Sequence, residues 1–231
     1  MSGTTRGPAG SPRPAVDIAY EQLRQAILTG ELMPNERLVE VVLADRLQVS
    51  RAVVRTVLVR LGQDGLVIQT PNRGAHVRLV TEAEAIEILQ ARAVLEGLAA
   101  RQAALEATAQ EIASIRRVLG QMTRKLEAED LLGYSDHNAE LHAAIIAAAR
   151  HETAARLIAG LRAQLVRYQF RTILVPGRAA RSLAEHTAIV EAIADGDPDA
   201  AETAMRRHLG SVETNLANTA TMAGARRTEN V

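Results

Sequence analysis

Two sets of residues in this chain have types and spacings that could do chemistry. The first is Arg51 and Arg55, four apart in SRAVVRTVLVRLGQDGLV. If that run is helical, both project from one face, and an arginine fork matches guanine O6 and N7 in the DNA major groove. A solvated basic face would carry the same charges, so the reading depends on what surrounds them. The second set is Asn138, His142, His186 and His208. Asn138 and His142 are also i and i+4, about 40° apart round a helix. His186 is followed at helical spacing by Ile189 and Ile193, and His208 is flanked by Ala201, Ala204 and Val212. Four such side chains from three helices could converge in a bundle and hold Zn²⁺ or a similar ion, leaving open positions. Histidines on half-apolar faces also serve as hydrogen-bonded structural residues. Spacing alone does not decide between these two roles.

The elements around the arginines favour nucleic acid. Leu43, Ala44, Leu47, Val49, Val54, Val57, Leu58 and Leu61 are apolar at helical spacing with a break at Gln48 and Val49. That pattern predicts two short helices joined by a tight turn, with Ser50 capping the second. Leu66 to Gln69 and Ala75 to Leu79 read as strands of a hairpin round ProAsnArgGly, with Arg73 and Gly74 at its tip. Two helices and a hairpin in this order form a winged helix-turn-helix, a DNA-reading module. Between Arg46 and Gln63 there are four arginines and no acid, and Arg60 joins Arg51 and Arg55 on outward positions. Candidate DNA contacts are Arg37, Ser50, Arg51, Arg55, Arg73 and Gly74, with the wing tip reaching phosphate or minor groove. His76 occupies a strand position and reads as a surface side chain. An earlier helix has Ile18, Leu23, Ala26 and Ile27 on one face and stops at Gly30.

The rest of the chain reads as helices. Thr81 with Glu84, Thr108 with Glu111, and Ser182 with Glu185 have capping-box spacing, and Asp197 before Pro198 is a further start signal. These predict helices near 82–106, 109–129, 131–149, 152–174, 182–195 and 198–216, an antiparallel bundle. The expected fold class is mainly α, with an N-terminal winged helix-turn-helix and a C-terminal bundle of about six helices. The expected divisions are a disordered segment over 1–14, the DNA-binding domain over 15–79, a helical domain over 80–216, which the resemblance given below makes the effector-binding and dimerisation domain, and a flexible tail over 217–231.

Composition narrows the alternatives. The absence of cysteine excludes disulfides, thiolate zinc sites and cysteine nucleophiles. No run approaches the roughly 18 apolar residues of a membrane span, and MSGTTRGPAGSPRP has no apolar signal core; a cytoplasmic protein is expected. Net charge is zero, but residues 1–79 hold ten arginines against seven acids and residues 80–231 hold seventeen basic against twenty acidic residues. A positive module on an acidic body suits sequence-specific DNA binding through a few placed contacts. A metalloenzyme built on the three histidines is disfavoured, because there is no HExxH and no identifiable general base beside them.

SRAVVRTVLVRLGQDGLVIQTPNRGAHVR resembles the DNA-binding domain of the GntR family of bacterial transcription regulators, whose members commonly read SRTPVREALRRLEAEGLV followed by PNRG. The remainder resembles the FadR-like branch with its all-helical FCD effector domain, and together the two cover roughly residues 16 to 216. Three departures stand out: Gln48 replaces a turn glycine, Val53 a proline, and Val41 an arginine common in relatives. FCD domains with a metal site typically use Asp or Asn, then His four residues later, then one His on each of two later helices. NAELH and AEHTAIVEAIADGDPDAAETAMRRH fit that pattern at Asn138, His142, His186 and His208. The resemblance thus implies a divalent metal, most simply Zn and otherwise Ni or Mn, with Asn138 as a weaker ligand than the usual carboxylate. Arg92 in LQARAVLE resembles a first-helix arginine of FCD domains that could bind an effector carboxylate, and Arg162, Tyr168 and Arg171 could line the same cavity. His151, at a predicted helix junction, is expected to be structural. The implied protein is a homodimeric repressor that leaves a palindromic double-stranded DNA operator when a small organic acid binds near the metal; a purely metal-responsive regulator is the rival.

Overall fold

The computed structural model describes residues 14–70, 74–165, 168 and 175–228. The chain divides into two compact units, Met1–Leu79 and Val80–Val231. Among the described residues there are nine helices and a three-stranded sheet, the mainly helical class that the sequence pattern predicts.

The first unit contains α1 (Ala15–Leu28), β1 (Arg37–Leu38), α2 (Glu40–Leu47), α3 (Arg51–Gln63), β2 (Val67–Thr70) and β3 (Gly74–Val77). Its core is Leu23, Leu43, Val54, Val57, Leu58, Leu61 and Val77, all nearly inaccessible to solvent. The face of α1 is rotated from the predicted one: Ala19, Tyr20, Leu23 and Ala26 are buried, whereas Ile18 is 47% exposed. Tyr20 donates from its hydroxyl to Asp64 at 2.5 Å, and Arg60 lies 4.1 Å above its ring while pairing with Asp17 at 2.6 Å. Arg60, exposed on an outward position of α3 as expected, therefore also fastens α1 to α3. The two-residue β1 is too short to show alternation in sequence; it pairs antiparallel with β3, giving the order β1-β3-β2.

The turn between α2 and α3 explains two of the unusual residues. Gln48 has φ 54° and ψ 43°, the left-handed conformation that glycine adopts without cost, and its side-chain amide donates to the Asp45 carbonyl at 2.7 Å. A glutamine there gives up about 1 kcal/mol relative to glycine. Ser50 caps α3 by accepting from the Val53 N–H at 3.3 Å. Proline at that position would have no N–H to donate, so Val53 supplies the donor that completes the cap.

The second unit is α4 (Glu82–Glu106), α5 (Ala109–Glu127), α6 (Leu131–Ala148), α7 (Glu152–Gln164), α8 (Arg178–Ala194) and α9 (Pro198–Thr228). Thr108 and Glu111 form a reciprocal capping box, Thr81 accepts from the Glu84 N–H, and Asp197 accepts from the Ala200 N–H at 2.9 Å. His151 caps α7 through Nδ1, which accepts from the Ala154 N–H at 3.2 Å, a structural role. Ser182 is not a cap: α8 begins one turn earlier, after Gly177 at φ 72°, and Ser182 is buried within it. Helix α7 ends at Gln164 rather than near 174, and α9 continues past 216 to Thr228. Ile115, Met122, Leu141, Ile145, Ile158, Ile189 and Met205 form the main core. No helix among the described residues is long and apolar enough to cross a membrane.

Candidate functional site

In the first unit, Arg51 and Arg55 are exposed on α3 and line one open groove of about 720 Å³ with Arg37 of β1, Gln69 and Thr70 of β2, and Gly74 of β3. Helix capping by Ser50 fixes where α3 starts, and Gly74 at φ 85° makes the wing turn in open space. Arg73 lies outside the described residues. The sequence shows no acid near these arginines, but the fold brings one: Glu40 at the start of α2 accepts from Arg55 at 2.9 Å and pairs with Arg51 at 3.4 Å. Arg55, then Arg51, hold the Glu40 carboxyl below the usual carboxylate range. Val39, Val41 and Val59 leave aliphatic side chains exposed in the same groove. Cationic forks beside apolar groups are what reading guanine edges and thymine methyls requires.

In the second unit the three histidines of the sequence motif meet. His142 on α6, His186 on α8 and His208 on α9 each present a ring nitrogen, and these nitrogens all lie within 4.8 Å of one another. The rings are 4.2 to 5.4 Å apart, centroid to centroid. His142 donates from Nδ1 to Glu96 at 2.6 Å, and His208 donates from Nδ1 to Glu185 at 2.8 Å. Nδ1 of His186 stands 3.4 Å from the Ser182 hydroxyl. With Nδ1 of His142 and His208 so engaged as donors, Nε2 of each ring carries the lone pair that a metal would bind, and Nε2 of His142 shares a hydrogen bond with Nε2 of His186. Nε2 of His142 and Nε2 of His186 are 3.2 Å apart. Two ligands about 2.1 Å from one zinc ion in tetrahedral geometry stand about 3.4 Å apart, so this separation fits a shared ion.

Asn138 sits one turn before His142, and its Oδ1 is buried without a hydrogen-bond partner among the described residues. An orphaned buried carbonyl oxygen costs about 1 to 3 kcal/mol unless something binds it. The oxygen and the imidazole nitrogens together make a donor set suited to Zn²⁺ or a similar borderline cation. Beside them is a cavity of about 70 Å³ lined by Arg92, Tyr134, Ser135, Asn138, Arg178, Ser182 and His208 among others. Its volume suits a group of carboxylate size.

Burial holds the histidines neutral. Burial, opposed by Glu96, pushes His142 down to about 4. Burial and the neighbouring histidines keep His186 well below its ordinary value, and burial lowers His208 against the opposing effect of Glu185. Burial pushes the Glu96 carboxyl up, but Arg92 and His142 outweigh it and hold it well below the carboxylate range. Glu185 is likewise raised by burial yet brought down to about 2 by His208 and Arg178. Three neutral imidazoles backed by two carboxylates are in the protonation state that metal binding needs.

Arg92 lines the cavity, as does Arg178, with Glu96 and Glu185 one contact further back; the sequence did not single out these last three for the site. Arg178 fell outside the expected helix, and Glu185 was read as half of a capping box. Glu96 carried a usable signal, four residues after Arg92 on one helix face. Arg162 is half-buried near Glu96 and reaches toward the Ala139 carbonyl at 3.5 Å. Tyr168 is not among the residues lining the cavity; it packs against Val80, Leu165 and Leu216 and donates to the Val80 carbonyl at 2.8 Å. Arg171 lies outside the described residues.

Comparisons with known proteins agree with this division. Residues 16–77 match the model of bacterial regulatory proteins of the gntR family, and residues 87–211 match the FCD domain. An HTH-type transcriptional regulator in an unstable DNA locus of Streptomyces ambofaciens is 32% identical over 84% of this chain and 81% of its own length. The HTH-type transcriptional repressor RspR of Escherichia coli K12 is 26% identical over 87% of this chain and 88% of its own. Among solved structures, E. coli McbR/YncC superposes with a TM-score of 0.75 at 19% identity, covering 90% of this chain and 99% of that one, a likeness of fold.

Proposed function

The chain belongs to the GntR family of bacterial DNA-binding transcription regulators and carries an FCD domain, and from that premise we propose that it is a homodimeric repressor released from its operator by a small carboxylate bound beside a metal. The observation that carries this reading is the convergence of His142, His186 and His208 next to the unpartnered Asn138 oxygen and a cavity containing Arg92 and Arg178. Buried charged and polar groups do not stabilise a core as well as aliphatic residues of the same volume. Arg92, Glu96, His142, Arg178, His186 and His208 all occupy the interior of one bundle, which favours a binding role over a packing role. Asn138, His142, His186 and His208 would hold the ion. A bound Zn²⁺ supplies a Lewis-acidic position that fixes the orientation of an anionic ligand. Arg92 and Arg178 offset the ligand's charge, and the Tyr134 and Ser135 edge of the cavity shapes it.

A homodimer follows from recognition, since one small winged module reads few base pairs and two half-sites related by a dyad give the selectivity a regulator needs. Exposed Val94 and Leu105 on α4 and Leu157 on α7 offer apolar surface for such an association. Release needs only that the carboxylate bind the non-DNA state more tightly, shifting the equilibrium by the affinity ratio.

The test is a gel shift with an operator fragment and a panel of small organic acids at fixed Zn²⁺, using the full-length protein and His186→Ala. We expect one class of acid to release wild-type protein, while His186→Ala binds the operator normally and responds poorly. Release by Zn²⁺ alone, with no acid effective, would instead indicate a purely metal-responsive regulator. An unchanged acid response in His186→Ala would remove the metal from the account.

A further inference from the structure

Two sequences of contacts with the same chemical order run from the cavity to the histidines. In the first, Arg92 donates to Glu96 Oε1 at 2.7 Å, and the other oxygen of Glu96 accepts from His142 Nδ1 at 2.6 Å. In the second, Glu185 Oε2 accepts from Arg178 at 2.9 Å and from His208 Nδ1 at 2.8 Å. Both arginines line the same small cavity, and they approach it from different helices, α4 and α8. Each arginine is buried, Glu96 is wholly inaccessible, and the Glu185 side chain is 18% exposed.

We propose that Glu96 and Glu185 are positioning residues that couple an anion site between Arg92 and Arg178 to the metal-binding histidines, so that anion and metal raise each other's affinity. This rests on the metal reading of the histidines given above. A carboxylate bound tightly to a guanidinium is a poorer acceptor for an imidazole N–H. An anion that draws the guanidinium toward itself leaves more electron density on the glutamate, strengthens its bond to the histidine Nδ1–H, and makes Nε2 a better donor to the metal. Such bonds polarise one another most where water is excluded, as it is here. The coupling is reciprocal by thermodynamic necessity. The duplication matters, because an arginine needed only to neutralise a buried carboxylate would not have to open onto the cavity, yet both do.

The experiment measures Zn²⁺ affinity of the full-length protein by competition with a chelator, with acetate or chloride at equal ionic strength and fixed free Zn²⁺. For wild type, acetate should tighten Zn²⁺ by about 5-fold or more, the lower end of ordinary coupling between sites. Glu185→Gln, at the less buried position, should weaken Zn²⁺ by about 10- to 100-fold and reduce the acetate effect. Arg178→Met should tighten Zn²⁺ without acetate and also reduce the acetate effect. Thermal unfolding of the zinc-free variants verifies the fold, and the acetate arm on wild type needs no substitution. Wild-type Zn²⁺ affinity indifferent to acetate, or Glu185→Gln binding Zn²⁺ as wild type does, overturns the coupling while leaving the metal site standing. Wild type that binds no Zn²⁺ under any condition overturns the metal reading itself, and the coupling with it.

Discussion

At the scale of single residues, the proposed DNA face turns on Glu40, Arg51 and Arg55. Before DNA arrives, the two arginines are held by one carboxylate. All three groups are solvent-accessible, so these pairs contribute little stability; their effect is on orientation and on competition with DNA. Arg55→Ala should cost about 1 to 3 kcal/mol at a cognate site and relax base preference at one position. Fluorescence anisotropy on cognate and random duplexes measures this, and equal losses on both would mean that Arg55 touches phosphate only. The arginines were legible from their spacing and from the serine cap. Glu40 was not, because it comes from another helix and sequence separation says nothing about which acid will swing across a turn. The same limit hid Arg178, whose partner Glu185 is seven residues away on a helix that starts a turn earlier than its capping signal suggests.

At the scale of elements, α6, α8 and α9 place three neutral histidines where aliphatic residues would otherwise pack, and this predicts a pH response of the zinc-free protein. The folded values lie below the unfolded value near 6.5, so the unfolded chain takes up more protons as pH falls through that value. The native state therefore loses stability from about pH 6.5 downward, until His142 itself titrates near 4. Glu185, held at about 2, contributes stability that is lost only at lower pH. Urea midpoints of chelator-treated protein at pH 7 and pH 5 should fall clearly, and equal midpoints would show that the histidines are not buried neutral. The helices that carry these residues were readable where caps and periodicity agree, as at Thr108 and Asp197. They were misread where one signal acted alone: Ser182 has the capping spacing, but Gly177 in the left-handed region starts the helix instead. The rotated face of α1 has a similar cause, since Tyr20 finds a partner in Asp64 that local pattern cannot reveal.

At the scale of the whole molecule, each unit has its own core and its own candidate site, one cationic and exposed, the other polar and buried. We propose the buried cluster as a metal site through which a ligand is sensed. Its most direct test is the zinc content of the full-length protein after dialysis against Zn²⁺ and then against buffer alone, with His186→Ala in parallel. About one Zn²⁺ should be retained per wild-type chain at pH 7.5 and none by His186→Ala. Wild-type protein that emerges free of zinc, or His186→Ala retaining as much as wild type, would contradict it.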